Sequence, residues 1–275
     1  MCSLVVRRLL VDLETPIERR WNGGDAFRTA FFNALSMSFP AGEQFFIDSV
    51  RRGLPDLPQA ERARFQPEVQ GFIGQEATHR RIHGLFNGHL AAQGHVNTWE
   101  RRIKWRLSHL ERVQARHWVA ITAAIEHFTA ILAEHLLEHA DPLQGAEARL
   151  QTMWLWHAAE ESEHRSVAFD LYRALGGSER WRRRWFYLVT LDFVVDALRQ
   201  TARNLRHDGE LWKWRTWRSA ARFFFGRTGL VRCTFGPWRA YLRGNFHPAA
   251  QGGERGARWL AVNAGEFSVV GAAGA

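Results

Sequence analysis

The chain has 275 residues, 46% of them hydrophobic, and a formal charge of +9, so it can bury one large core or two small ones. Its two cysteines, Cys2 and Cys233, offer neither metal-ligand spacing nor a disulfide framework, which fits a reducing compartment. Arg7 and Arg8 interrupt the N-terminal apolar stretch before a secretory signal can build, which places the chain in the cytoplasm.

Helix-period apolar segments dominate, and the fold class expected is all-α. Residues 1–24 read as an extended lead-in ending at the Asn22-Gly23-Gly24 turn. Asp25 can cap a helix carrying Phe27, Phe31, Phe32 and Leu35, and Pro40 either kinks that helix or starts another. Beyond it, Phe39, Glu43, Phe46, Ile47 and Val50 share a face, and Gly42 leaves room for a ligand or a close helix beside Glu43. A proline-rich connection with one short helix leads to a second helix over 67–92, stopped near Gly94. Residues 97–116 are basic and amphipathic. A third helix runs to about His139, with Glu126 and Thr129 inward, and Asp141-Pro142 breaks it. The fourth spans about 146–175 and ends at Gly176-Gly177. Residues 25–177 thus form a helical bundle, 178–246 a set of additional C-terminal helices packed on or beside it, and 247–275 a flexible, Gly- and Ala-rich tail.

The chemistry concentrates in WLWHAAEESEHRSVAFD, residues 154–170. At about 100° per residue, Glu161 and His164 fall within about 40° of His157, and Glu160 at about −60°, inside an otherwise apolar face. Charge buried there needs a counter-ion, a proton or a metal. A partner stretch upstream holds Glu76-x-x-His79 with His83 one turn on, and Glu43 and Glu126 stand alone in apolar helical runs. The order is Glu, Glu-x-x-His, Glu, Glu-x-x-His, at separations of 33, 50 and 35 residues. Two short-linked helix pairs joined by one long crossover have this spacing, which is the ligand pattern of ferritin-like four-helix bundles. A single Glu-x-x-His in such a chain is most simply a solvated acidic face; two of them, with two isolated carboxylates, are a ligand set.

The candidate metal ligands are therefore Glu43, Glu76, His79, Glu126, Glu161 and His164. His83, His157 and Glu160 are extra ligands or groups that orient the others, and Glu160 competes with Glu161 because it lies one turn before His164. Four carboxylates and two divalent ions neutralise one another, and oxygen ligands with two imidazoles and no thiolate suit iron first, with manganese or zinc as alternatives.

The motifs FPAGEQFF, QEATHRRIH, EHFTA and WHAAEESEHRSVAFD, with FHP at 246–248, resemble the bacterial predicted metal-dependent hydrolase family, over most of residues 5–248. The resemblance implies a metal enzyme and supplies no substrate. The first reading is an oxygen-activating di-iron oxidase or oxygenase acting on an apolar small molecule. The alternatives are hydrolysis by a metal-activated water and a non-enzymatic metal-storage or structural protein.

The charge is uneven. Residues 178–246 hold 15 Arg or Lys against five acids, and six tryptophans. The longest apolar piece there, Trp185 to Leu198, has 14 residues and contains Asp192 and Asp196, too short and too charged for a bilayer span. Trp and Arg together suit an anionic membrane surface, which would put the protein at the inner face of the membrane; burial of Trp against the bundle is the equal alternative. A nucleic-acid reading draws on the same charge but finds no recognised binding module.

Overall fold

The computed structural model describes residues 4–271, so Cys2 and the end of the expected tail lie outside the described residues. The protein is an all-α helical bundle. Its helices are α1 (Ala26–Gly53), α2 (Gln59–Ala92), α3 (Thr98–Ser108), α4 (Ala115–Glu138), α5 (Ala148–His164), α6 (Val167–Ala174), α7 (Glu179–His207), α8 (Trp214–Phe225), α9 (Leu230–Ala240) and α10 (Glu254–Val262).

Asp25 caps α1 by accepting the Arg28 amide hydrogen at 2.9 Å. Pro40 lies inside this helix and cannot donate to the Ser36 carbonyl four residues back. The side-chain amide of Asn87 on α2 donates to that carbonyl instead, at 2.8 Å. The proline is thereby accommodated within one continuous helix, and the same bond ties α1 to α2.

Contacts of Ser36 with Asn87 and of Glu43 with Glu76 and His79 make α1 and α2 antiparallel. Gly53 meets Val119, while Phe31 and Phe128 line one groove farther along, so α4 is antiparallel to α1 as well. It follows that α2 and α4 run in the same direction. Residues 93–114, with α3, make the long return this requires. Short connections bring α5 and α6 back along α4, and α7, α8 and α9 pack outside α1 and α4.

Several elements depart from the sequence reading. The second helix starts at Gln59 rather than at 67, since the short helix of the connection runs on through Pro67. The fourth helix is interrupted just after His164. There the Arg165 guanidinium donates to the Ser162 carbonyl, which an uninterrupted helix would pair with the Ser166 amide. Arg165 also bonds the Pro248 and Gly252 carbonyls, at 3.1 and 2.7 Å.

Residues 4–24 are without helix, as an extended lead-in would be, but residues 247–271 of the expected flexible tail carry a helix and a strand. Strand β1 (Arg7–Leu9) pairs antiparallel with β2 (Phe267–Val269), and α10 packs on α5. At Gly256 an added Cβ would lie 2.8 Å from Ser162 Cβ and 2.9 Å from the Ala159 carbonyl oxygen. The small residues that read as flexibility are here a close helix–helix contact.

Candidate metal centre

All six candidate ligands converge inside the bundle, each at most 3% exposed. Glu43 comes from α1, Glu76 and His79 from α2, Glu126 from α4, and Glu161 and His164 from α5. The two Glu-x-x-His pairs face each other crosswise. His164 Nε2 lies 3.1 Å from Glu76 Oε1, and His79 Nδ1 lies 3.5 Å from Glu161 Oε1. His164 Nε2 is also 3.4 Å from Glu126 Oε2 and 3.6 Å from Glu161 Oε2.

Buried polar atoms are almost always hydrogen-bonded. Nine atoms in this cluster are not: both oxygens of Glu43, Glu76 and Glu126, Glu161 Oε2, His79 Nδ1 and His164 Nε2. The opposite nitrogen of each ligand histidine is held. His79 Nε2 contacts Glu160 Oε2 at 3.0 Å, and His164 Nδ1 donates to Gln75 Oε1 at 2.9 Å. Outer groups that fix an imidazole and leave one nitrogen free are what a metal-ligating histidine requires. Among the described residues, the triplets close enough to share an ion include Glu43–Glu76–His79, His79–His157–Glu161 and Glu43–His83–His157.

Glu160 and Glu161 have different surroundings. Glu160 is fully buried and both its oxygens are engaged, one by His79 and the other by Arg7 at 3.1 Å. Arg7 also holds Glu163, at 2.6 and 3.0 Å, and Gln75 donates to Glu163 at 2.9 Å. Glu161 keeps Oε2 unpartnered and turned into the cluster. Sequence reasoning does not single out Arg7, Gln75 or Glu163. Their contacts at the site span 88 residues or more, and no local spacing announces them.

His83 and His157 form a chain with Ser36. His83 Nε2 and His157 Nδ1 are 2.6 Å apart, and His157 Nε2 is 2.9 Å from Glu161 Oε1. The Ser36 hydroxyl donates to Asn87 Oδ1 at 2.9 Å, so His83 Nδ1 must donate to the Ser36 oxygen, also 2.9 Å away. His83 Nε2 is then an acceptor and His157 Nδ1 its donor. The last contact, to Glu161, needs one proton more than neutral Ser36, His83 and His157 supply.

The electrostatics agree with a site built for cations. Burial, then the Glu76 charge, pushes the Glu43 carboxyl well above its usual range, and burial with Glu161 does the same to Glu126. Burial raises Glu76. Burial opposes the charge of His79 and Glu161 as well, yet their contacts with each other prevail. His79 is lifted to about 10 by Glu160 and Glu161, and Glu161 is held well below its range by His164, His157 and His79. His164 rises well above its usual value for the same reason, with Glu126 the largest favourable partner. Burial drives His157 down to about 4.

A cavity of about 330 Å³ reaches Glu43 from the α3–α7 side, walled by Phe39, Phe46, Trp99, Ile125, Trp185 and Phe193. Gly42 faces it with only the Phe46 ring edge, at 4.0 Å, near the position of an added Cβ. Of the two sequence readings of Gly42, space for a ligand is the one realised. The charged groups on the wall besides Glu43 are mutually paired: Arg106 with Asp192 at 3.3 Å and with Asp196.

An all-α bundle with a buried carboxylate–imidazole cluster, many of its polar atoms without hydrogen bonds, beside an apolar cavity is the frame of a metal-dependent protein. The chain belongs to the predicted metal-dependent hydrolase family, whose model matches residues 5–252. Neither the curated proteins nor the solved structures give a match.

Proposed function

We propose that this chain binds two divalent metal ions through Glu43, Glu76, His79, Glu126, Glu161 and His164 and hydrolyses an uncharged apolar substrate. The observation that carries the reading is the set of nine buried polar atoms without hydrogen bonds, drawn from these six residues. Two bound ions would supply Lewis acidity and a nucleophilic water at neutral pH. The family's description as a hydrolase favours this over the oxidase expected from sequence.

The protein's own groups have separable duties in this reading. Glu160 and Gln75 fix the rings of His79 and His164, so that Nδ1 of one and Nε2 of the other present lone pairs inward. His157 sits against Glu161 Oε1 and can hold or return a proton there. The apolar cavity receives the substrate next to Glu43, and its paired rim charges leave no free counter-ion for a charged one. Oxygen-dependent oxidation at the same centre is the second reading, favoured by the carboxylate-rich donor set and the apolar cavity.

Elemental analysis should find about two ions per chain that are lost when Glu76 or Glu161 is replaced. Metal-loaded protein should cleave p-nitrophenyl esters of medium-chain acids equally with and without oxygen. Oxygen uptake coupled to turnover would replace hydrolysis by the second reading, and metal-free protein with full activity would end both.

A further inference from the structure

A second donor cluster lies away from the centre described above. His135 lies in the last turn of α4, and His139, four residues on, is the residue just past its end. Cys233, in the first turn of α9, meets them there. One donor atom from each of the three lies within 4.8 Å of the others. The two rings are 4.9 Å apart between centroids. His135 is 5% exposed, and its Nδ1 is buried with no hydrogen-bond partner. Burial pushes this imidazole down to about 4, which leaves it neutral with a lone pair at physiological pH. A cavity of about 260 Å³, lined by His135 and Cys233 together with Glu134 and Glu138, gives an ion a way in. Nine residues, or about 13 Å of helix, separate His135 from Glu126, so no ligand is shared with the carboxylate cluster.

We propose that His135, His139 and Cys233 form a separate zinc site that clips α9 to α4. Two imidazoles and a thiolate are the donor set zinc prefers over the harder ions suited to carboxylates, and a fourth position stays open to water from the cavity. Zinc holds such donors at about 2.0–2.3 Å, and the three donor atoms already lie within 4.8 Å of one another.

Cobalt(II) gives a clean test, because a thiolate ligand adds a near-ultraviolet charge-transfer band that carboxylates and imidazoles cannot. The full chain loaded with cobalt should show the band of one thiolate. Cys233→Ser should abolish it and lower zinc content by one equivalent, while Cys2→Ser should leave both intact. No band in the unaltered chain, or a band that survives Cys233→Ser, would overturn the site. The carboxylate cluster holds no cysteine, so its success or failure is read separately.

A different observation concerns the outer face of α7. Leu188 is 45%, Leu191 62%, Val194 45% and Leu198 52% exposed, which makes an apolar stripe along the helix. The acid beside this stripe, Asp192, is neutralised by Arg106. Leu188 borders the cavity that reaches Glu43, and Val194 and Leu198 border a second apolar groove shared with Val231 and Phe235 of α9. The charge around this face is one-sided. All five acids of residues 178–246 are already in ion pairs. Arg184, Arg206 and Arg239 continue the same helix faces, and Arg199, Arg203 and Arg232 flank them; none of the six has an acidic partner among the described residues.

We infer that the α7–α9 face docks on an anionic lipid surface. A second copy of the chain would bring like-charged arginines together, whereas anionic headgroups neutralise them as the apolar stripe enters the acyl boundary. The one described helix whose length and composition would suit a bilayer span is α4, and 78% of its most apolar window is buried in the fold, so the contact is peripheral.

The full chain should sediment with phosphatidylglycerol-containing vesicles and not with pure phosphatidylcholine. Binding should fall at least tenfold between low salt and about 0.5 M, where charges are screened within a few ångströms. Leu191→Glu, at an exposed position, should cost another tenfold or more with unchanged melting temperature and metal content. Absence of sedimentation at low salt would overturn the inference. So would a dimer that Leu191→Glu converts to monomer, since the face would then belong to a second copy.

Discussion

Arg7→Met tests whether the N-terminal strand supports the metal centre. Arg7 places one guanidinium against Glu160, whose side chain is fully buried, and against Glu163. Methionine keeps much of the apolar stem and removes the charge, leaving Glu160 in the bundle with only His79 as partner. Removing one member of a buried ion pair costs about 3–5 kcal/mol, because the remaining charge stays buried. At about 2 °C per kcal/mol for a chain of this size, the melting temperature should fall by about 6–10 °C. Metal affinity should fall too, by about 10–100-fold, since Glu160 sets the ring of His79. Thermal melts of metal-free and metal-loaded protein, with competitive metal titration, read both effects. Adding Glu160→Gln to Arg7→Met should recover most of the stability, because a neutral amide at that position needs no counter-charge. A single variant as stable as the parent, or a double variant no better than the single, would refute the reasoning.

The adjacent carboxylates should separate by metal content: Glu161→Gln loses metal, while Glu160→Gln, altering only an orienting group, keeps both ions with weakened affinity. Metal loading should raise the melting temperature and chelation lower it, as binding to the folded form alone requires; no difference would mean that the buried donors hold no ion. Gly42→Leu should block turnover by filling the cavity beside Glu43 while leaving metal content intact, and should slightly raise stability, since glycine costs about 1 kcal/mol in a helix interior. His127 donates to the Pro237 carbonyl at 3.1 Å and is held down to about 4 by burial. Its unfolded form takes up a proton first as the pH falls, so stability drops by up to about 3 kcal/mol between about pH 6.5 and 4. His127→Gln should flatten denaturant-melt stabilities across that window.

The site is legible in the sequence where its residues obey helical spacing. Glu76-x-x-His79 and Glu161-x-x-His164 each fall on one face, and the lone carboxylates Glu43 and Glu126 stand out against apolar neighbours, so the cluster can be assembled from periodicity alone. Asp25 as a cap and Gly176 as a stop are equally local. Features made by distant partners are not legible. Pro40 gives no hint that Asn87 satisfies the carbonyl it leaves free, and Pro67 reads as a start because the fusion of two helices through a proline depends on packing. Arg7 looks like an interruption in an apolar leader. Gly256 looks like slack chain, because a glycine chosen for close approach and one chosen for mobility have the same letter.

The stretches around Arg7 and Gly256 meet at α5, and this bears on how the centre works. One face of α5 presents Glu161 and His164 to the cluster. Glu160, about 100° around the helix from Glu161, meets β1 through Arg7, and Ala159 and Ser162, farther round, take the close approach of α10. β1, paired with β2, therefore reaches α5 through Arg7, while α10 packs directly on it. Glu163 on this helix is exposed, whereas Glu160 is fully buried and needs a counter-charge there. With the strand in place, Arg7 makes a carboxylate tolerable in the interior, and that carboxylate fixes the Nδ1 of His79 inward. Adjacent residues of the same type thus come to different duties: Glu161 by facing the cluster, Glu160 by lying between His79 and Arg7. The family match ends at residue 252, so α10 and β2 lie beyond it. Arg7 lies within it, and the ion pair that depends on the strand reaches the ligand shell through a single side chain.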